Sequence, residues 1–158
     1  MTSIRQAIPD PEAPSPPAQP LYDQRVLDLD VRHVMSPGVI TISDDATVGE
    51  AADAMELHRI HAILVVGGRS GTALGWVTTR GLLGFVGRDA RTPVTDAITE
   101  QVTGIQPGAS VHSAIYALSL PGVTRLLVRR RPLDAAEGVI TDFDLAVKTR
   151  RPSLTYDN

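Results

Sequence analysis

The chain has 158 residues, 42% of them hydrophobic, with a formal net charge of −3 and no cysteine. That size suits one globular unit or two small modules sharing a core, and the missing cysteines exclude disulfides, thiolate metal sites and a cysteine nucleophile. The acidic balance argues against general nucleic-acid binding, no apolar run nears the roughly 20 residues that span a bilayer, and no secretory signal opens the chain, so a cytoplasmic protein without membrane insertion is expected.

Residues 9–20 are dense in proline with acidic and small residues between, so 1–20 is expected to be a disordered tail. Residues 22–35 place Val26, Leu27, Val31 and Val34 near one helical face, with Asp30 as a candidate N-cap before Val31. Ser36-Pro37-Gly38 is expected to end that helix, and residues 39–42 to form a short strand. Thr47 and Glu50 have capping-box spacing and open a helix whose apolar face carries Val48, Ala51, Ala52, Met55 and Leu57. A buried strand follows over 60–66, then a turn at 67–71, a strand over 73–77 and a helix over 79–86.

After a polar linker the order recurs. A short helix is expected at 94–98 and a strand at 102–105. Ser110 caps a helix bearing Val111, Ala114, Ile115 and Leu118, which Pro121-Gly122 stops. Strands at 123–128 and 137–140 flank a turn at 129–136, and the last helix covers 141–148.

The recurrence is residue by residue. Gly75-Trp76-Val77-Thr78 stands 63 residues before Gly138-Val139-Ile140-Thr141. The same spacing pairs Val39 with Val102, Ile42 with Ile105, Ala46 with Ala109, Val48 with Val111, Ala51 with Ala114, Ala54 with Ala117, Leu64 with Leu127 and Val65 with Val128. A unit this long holds a whole strand-helix-strand-strand-helix set rather than one solenoid turn. Two copies of one α/β module are expected, related by a pseudo-two-fold axis and sharing a core. Any cleft between them then occurs twice.

Three pieces carry a family resemblance: Val31-Arg32-His33-Val34-Met35-Ser36, the passage from Leu57 to Val66, and Gly138-Val139-Ile140-Thr141-Asp142-Phe143-Asp144. In this order and register the chain resembles a tandem pair of CBS domains, over about residues 31–151. The resemblance implies an α/β (α+β) fold of two pseudo-symmetric modules, each β-α-β-β-α. The expected plan is a tail at 1–20, a first module at 21–87, a linker at 88–93, a second module at 94–151 and a C-terminal tail at 152–158. It also implies a flat module with two clefts for adenosine ligands such as AMP, ADP, ATP or S-adenosylmethionine, a homodimer, and regulation of a partner protein of unknown identity. With nothing but tails outside the pair, a stand-alone regulatory module is expected.

An adenosine ligand needs an acceptor for its ribose diol, donors for phosphate and an apolar slot for adenine. Asp144 offers the acceptor and Thr141 marks a strand-to-helix junction, while Val139, Ile140, Thr103 and Ile105 offer walls. The resemblance places a basic residue of the other module opposite, which here is Arg59 or His61. Thr141 and Asp144 also have capping-box spacing, which by itself accounts for both residue types. The first copy puts Gly81 where the second has Asp144, so its cleft lacks the ribose acceptor; Thr78, Arg80 and Arg125 remain to hold an anion there, or the cleft is empty and degenerate.

His33, His58, His61 and His112 make no metal set, and no nucleophile pairs with a base, so no catalytic or metal site is expected. Arg129-Arg130-Arg131 with Arg150-Arg151 makes the C-terminal half locally basic, but too few aromatics accompany it for a nucleic-acid surface. A ligand-free dimerisation module with decayed clefts is the alternative to nucleotide sensing.

Overall fold

The computed structural model describes residues 11, 12, 14 and 24–149. The tail expected over 1–20 therefore lies almost wholly outside the described residues, as does 152–158. Two mixed sheets form the centre. A three-stranded sheet has the order β2 (Thr41–Ser43), β3 (Ala62–Val66), β4 (Ala73–Thr78). A four-stranded sheet has the order β1 (Ser36–Pro37), β7 (Gly138–Thr141), β6 (Arg125–Val128), β5 (Gly104–Ile105). Helices α2 (Val48–His58) and α3 (Thr79–Leu82) belong with the first sheet, and α4 (Val111–Leu118) and α5 (Asp142–Lys148) with the second; α1 is Gln24–Leu27. The two expected α/β modules are present.

Strand alternation sorts the core into layers. Ile63 and Val65 turn to a cluster with Val48, Ala51 and Met55 of α2, while Leu126 and Val128 turn to one with Val111 and Ala114 of α4. The residues between them, Leu64 and Leu127, face the opposite way and meet Trp76 in a third cluster that joins the two sheets. Val65 and Val128 are both fully buried, though each in its own module's layer. The shared core is the smaller Leu64–Trp76–Leu127 cluster.

Residues 22–35 do not make one helix. The α-helix stops at Leu27, and Val31–His33 is a single 3-10 turn. Asp30 is extended and its side chain makes no cap hydrogen bond. Tertiary pairing overrides the helical pattern here. The Val31 N–H donates to the Ala109 carbonyl at 2.8 Å, and the Val111 N–H to the Leu29 carbonyl at 2.8 Å. The same bonds recur 63 residues on: Val94 N–H to Ala46 O at 2.9 Å, and Val48 N–H to Thr92 O at 2.8 Å. Residues Val94–Ala97 are likewise a 3-10 turn.

The two modules thus exchange their leading segments. Val31 and Val34 are buried in the core of the second module, and Val94 and Ala97 in the core of the first. Ser36-Pro37 does not merely end a helix; it pairs antiparallel with β7, Ser36 opposite Val139 and Pro37 opposite Gly138. Its counterpart bridges Glu100 to Trp76. The other shifts are small. The expected strand at 39–42 falls at Thr41–Ser43, that at 102–105 shrinks to Gly104–Ile105, and the helix expected over 79–86 turns 3-10 at Leu83–Phe85.

Each exchanged segment crosses a glycine. A Cβ on Gly138 would lie 2.5 Å from the Ser36 carbonyl oxygen and 2.7 Å from the Met35 sulfur. A Cβ on Gly75 would lie 2.3 Å from Ile98 Cγ2 and 3.0 Å from the Glu100 carbonyl oxygen. Backbone cannot yield as a side-chain tip can, so both positions demand glycine. Gly138→Ala is expected to destabilise the protein by about 1–3 kcal/mol, lowering the melting temperature by roughly 2–12 °C. Thermal unfolding followed by circular dichroism checks this, and an unchanged midpoint would show that the crossing relaxes freely.

Candidate functional site: two unequal clefts

Strand β7 runs into α5 through Thr141, which is extended (φ −116°, ψ 166°) and caps the helix. The Thr141 hydroxyl accepts the Asp144 N–H at 3.2 Å, and Asp144 Oδ2 accepts the Thr141 N–H at 3.1 Å, a complete capping box. Oδ2 also accepts from the Thr141 hydroxyl at 3.2 Å. Oδ1 faces the exchanged segment. It accepts from the Ser36 hydroxyl at 3.0 Å and lies 3.4 Å from Lys148 Nζ. Lys148 Nζ in turn donates to the Met35 carbonyl oxygen at 3.2 Å. Asp144 is only 7% exposed. A carboxylate has about four lone-pair sites, and here four donors meet them.

Ser36 and Lys148 are neighbours of Asp144 that the motif alone does not reveal. Ser36 had a visible signal, because the 63-residue spacing pairs it with Thr99, another hydroxyl. Lys148 follows Asp144 at i+4, the spacing of a helical ion pair.

The first cleft has the same frame and different chemistry. Thr78 caps α3 and its hydroxyl accepts the Gly81 N–H at 2.9 Å. Thr99 stands where Ser36 stands in the other cleft; a Cβ built on Gly81 would lie 3.2 Å from its hydroxyl oxygen. Gly81 has no carboxylate, but one arrives from the crossing segment. Glu100 Oε2 accepts from Arg125 Nε at 3.1 Å and from the Thr124 hydroxyl at 2.6 Å. The Arg125 guanidinium lies 5.5 Å from the centre of the Trp76 ring. The pair is well sheltered, with side-chain exposures of 16% for Arg125 and 20% for Glu100. Arg80 is exposed and points to no partner in this cluster.

The remaining expected site residues divide. Val139 and Thr103 are half-buried, and Val139 packs against the layer that joins the sheets. Ile140 is fully buried and Ile105 packs beside it in the second module's core, so their side chains serve that core and only their backbone borders the cleft. Arg59 and His61 are exposed and line a groove between α2 and α3 with Ala52, Met55, Glu56 and Leu82. Arg59 is the left-handed C-cap of α2 (φ 52°), where the second copy has Gly122 (φ 77°). The position that faces a cleft from the neighbouring module is Arg125 in one copy and, 63 residues earlier, Ala62 in the other. Helix capping at Thr47 is one-sided: its side chain accepts the Glu50 N–H, without a reciprocal bond.

The α2/α3 groove, about 520 Å³, has a counterpart between α4 and α5 of about 370 Å³. Their linings correspond across the repeat: Ala52 with Ile115, Met55 with Leu118, Thr79 with Asp142, Leu82 with Leu145. No helix among the described residues is long and apolar enough to cross a membrane.

The CBS domain family model matches residues 31–88. The CBS domain-containing protein YhcV of Bacillus subtilis is 31% identical over 121 residues, covering 74% of this chain and 83% of that protein. The chain belongs to the CBS domain family. Among solved CBS structures, the CBS-domain containing protein ATU1752 from Agrobacterium tumefaciens shares the fold with a TM-score of 0.61 at 24% identity, covering 75% of this chain and 96% of that one. CBS domain protein PAE2072 from Pyrobaculum aerophilum, solved in complex with AMP, matches with a TM-score of 0.64 at 16% identity, over 74% of this chain and 90% of that one.

In this CBS pair Asp144 ties α5 to the exchanged segment through Ser36. Asp144→Ala is expected to destabilise the ligand-free protein by about 1.5–3 kcal/mol, the range of one hydrogen bond to a charged group, since the half-exposed Lys148 adds little. The melting temperature should fall by roughly 3–12 °C. Gly81→Ala in the other cleft removes no such tie. Calorimetric unfolding of both variants checks the contrast, and equal effects would refute it.

Proposed function

We propose that the chain is a cytoplasmic regulatory CBS pair that binds one adenosine ligand, such as AMP, ADP, ATP or S-adenosylmethionine, in the Asp144 cleft and signals through a partner protein. One observation carries this reading. A sheltered carboxylate sits beside the N-terminus of α5, with Thr141 at the junction and the apolar Val139 strand behind it. The AMP complex of PAE2072 supports adenosine chemistry in this fold. A ribose diol would replace Ser36 and Lys148 at Oδ1, leaving the capping box on Oδ2 in place. Lys148, so released, is the nearest cation for a phosphate.

At 100 times its dissociation constant such a ligand stabilises by about 2.7 kcal/mol, or roughly 5–11 °C. Asp144→Ala should weaken binding by at least on the order of tenfold, titrated calorimetrically on folded variant. If none of the four compounds binds the wild type at millimolar concentration, the reading fails. A second reading then applies: a ligand-free interaction module. The full set of internal donors on Asp144 favours it.

Either reading includes assembly. Leu57, Leu83, Val86 and Phe143 are exposed on the helices and turns about the two grooves, at 78%, 69%, 78% and 71%. We expect a homodimer that covers them. Sedimentation at tens of micromolar, a choice suited to an interface of ordinary size, should show dimer. Monomer alone would rule it out.

A further inference from the structure

We propose that the first cleft is an anion site whose resident ligand is the chain's own Glu100, so that this cleft is closed to external anions while the exchanged segment is in place. The cluster has every part of an anion site. Arg125 supplies the cation, the Thr124 hydroxyl donates at 2.6 Å, and the Trp76 ring covers the guanidinium. The occupant is the Glu100 carboxylate, held at 3.1 Å from Arg125 Nε.

The backbone shows that this occupancy is built in. The Trp76 N–H donates to the Glu100 carbonyl oxygen at 2.9 Å, and the Thr99 N–H to the Trp76 carbonyl oxygen at 3.1 Å. Glu100 is therefore delivered by the exchanged segment, which cannot leave without unpairing from β4. Pro37 holds the corresponding place in the second module, where no carboxylate is delivered and the facing residue is Ala62 rather than Arg125. The two charges of the Glu100–Arg125 pair are thus both absent from the second cleft, and the Asp144 carboxylate is absent from the first. A tethered carboxylate competes at an effective concentration of millimolar or more. Free phosphates at ordinary concentrations lose to it. The consequence is one external ligand at most between the two clefts, and an exchanged segment whose position is read out at Arg125.

Trp76 is the chain's one tryptophan, so its fluorescence reports on this cluster alone. The probe is inorganic phosphate, which makes the test independent of any nucleotide in the Asp144 cleft. Wild-type emission is expected to stay unchanged up to about 1 mM phosphate, within the effective concentration of the tethered carboxylate. Glu100→Gln removes the charge and keeps an acceptor for Thr124; it should bind phosphate at least on the order of tenfold more tightly, with a saturable change in Trp76 emission. Glu100→Ala should respond likewise. Adding Arg125→Met to either variant should abolish the response. A saturable wild-type response would overturn the proposal, as would folded Glu100 variants that ignore phosphate. Failure of AMP to bind the wild type bears only on the Asp144 cleft.

Discussion

The exchange of leading segments between the two modules is the constraint on which the rest depends. Residues 31–37 complete the second module, and the segment from Val94 to Glu100 completes the first. Neither core closes without chain from elsewhere: Val31 and Val94 are each fully buried in the module they do not precede in simple order. Close passage over Gly138 and Gly75 makes the exchange possible, since any side chain there meets backbone oxygen. The two modules therefore behave as one folding unit with one hydrophobic seam at Leu64, Trp76 and Leu127.

The same exchange makes the clefts. A crossing segment runs past the start of α3 in one module and α5 in the other, and brings a hydroxyl to each: Thr99 to Gly81, Ser36 to Asp144. What differs is where the carboxylate resides. In the second cleft it is on the helix, inside a capping box, with Lys148 beside it. In the first it is on the crossing segment and already neutralised by Arg125. A duplicated frame has thus been given two electrostatic solutions. One leaves the carboxylate on the helix, with a serine hydroxyl and a half-exposed lysine at its Oδ1. The other is a charge-assisted pair supported by sheet-like backbone bonds, with much less freedom to open.

Clefts and grooves share their helices. Asp144 is one residue from Leu145, and Asp142, Leu145 and Ala146 line the α4/α5 groove. Thr79 and Leu82 of α3 do the same for the first module. With α5 only seven residues long, its capping box and its groove face lie within two turns of each other.

Much of this was legible in the sequence because local rules governed it. The caps at Thr47, Ser110 and Thr141 and the apolar strand runs about Ile63-Leu64-Val65 and Leu126-Leu127-Val128 depend on neighbours within a few positions, and the 63-residue repeat shows them twice. So does the Thr141–Asp144 constellation, whose members lie on one helical turn. The tertiary structure decided what distant segments do. It broke the helix expected over 22–35, because the Val31 N–H has its partner at Ala109, far along the chain. It turned Ser36-Pro37 from a terminator into a strand, placed Arg59 and His61 on a groove rather than beside Asp144, and joined Glu100 to Arg125. Periodicity and capping are written in adjacent residues; which segment crosses which module is set by burial and hydrogen bonding between residues that only the folded chain brings together.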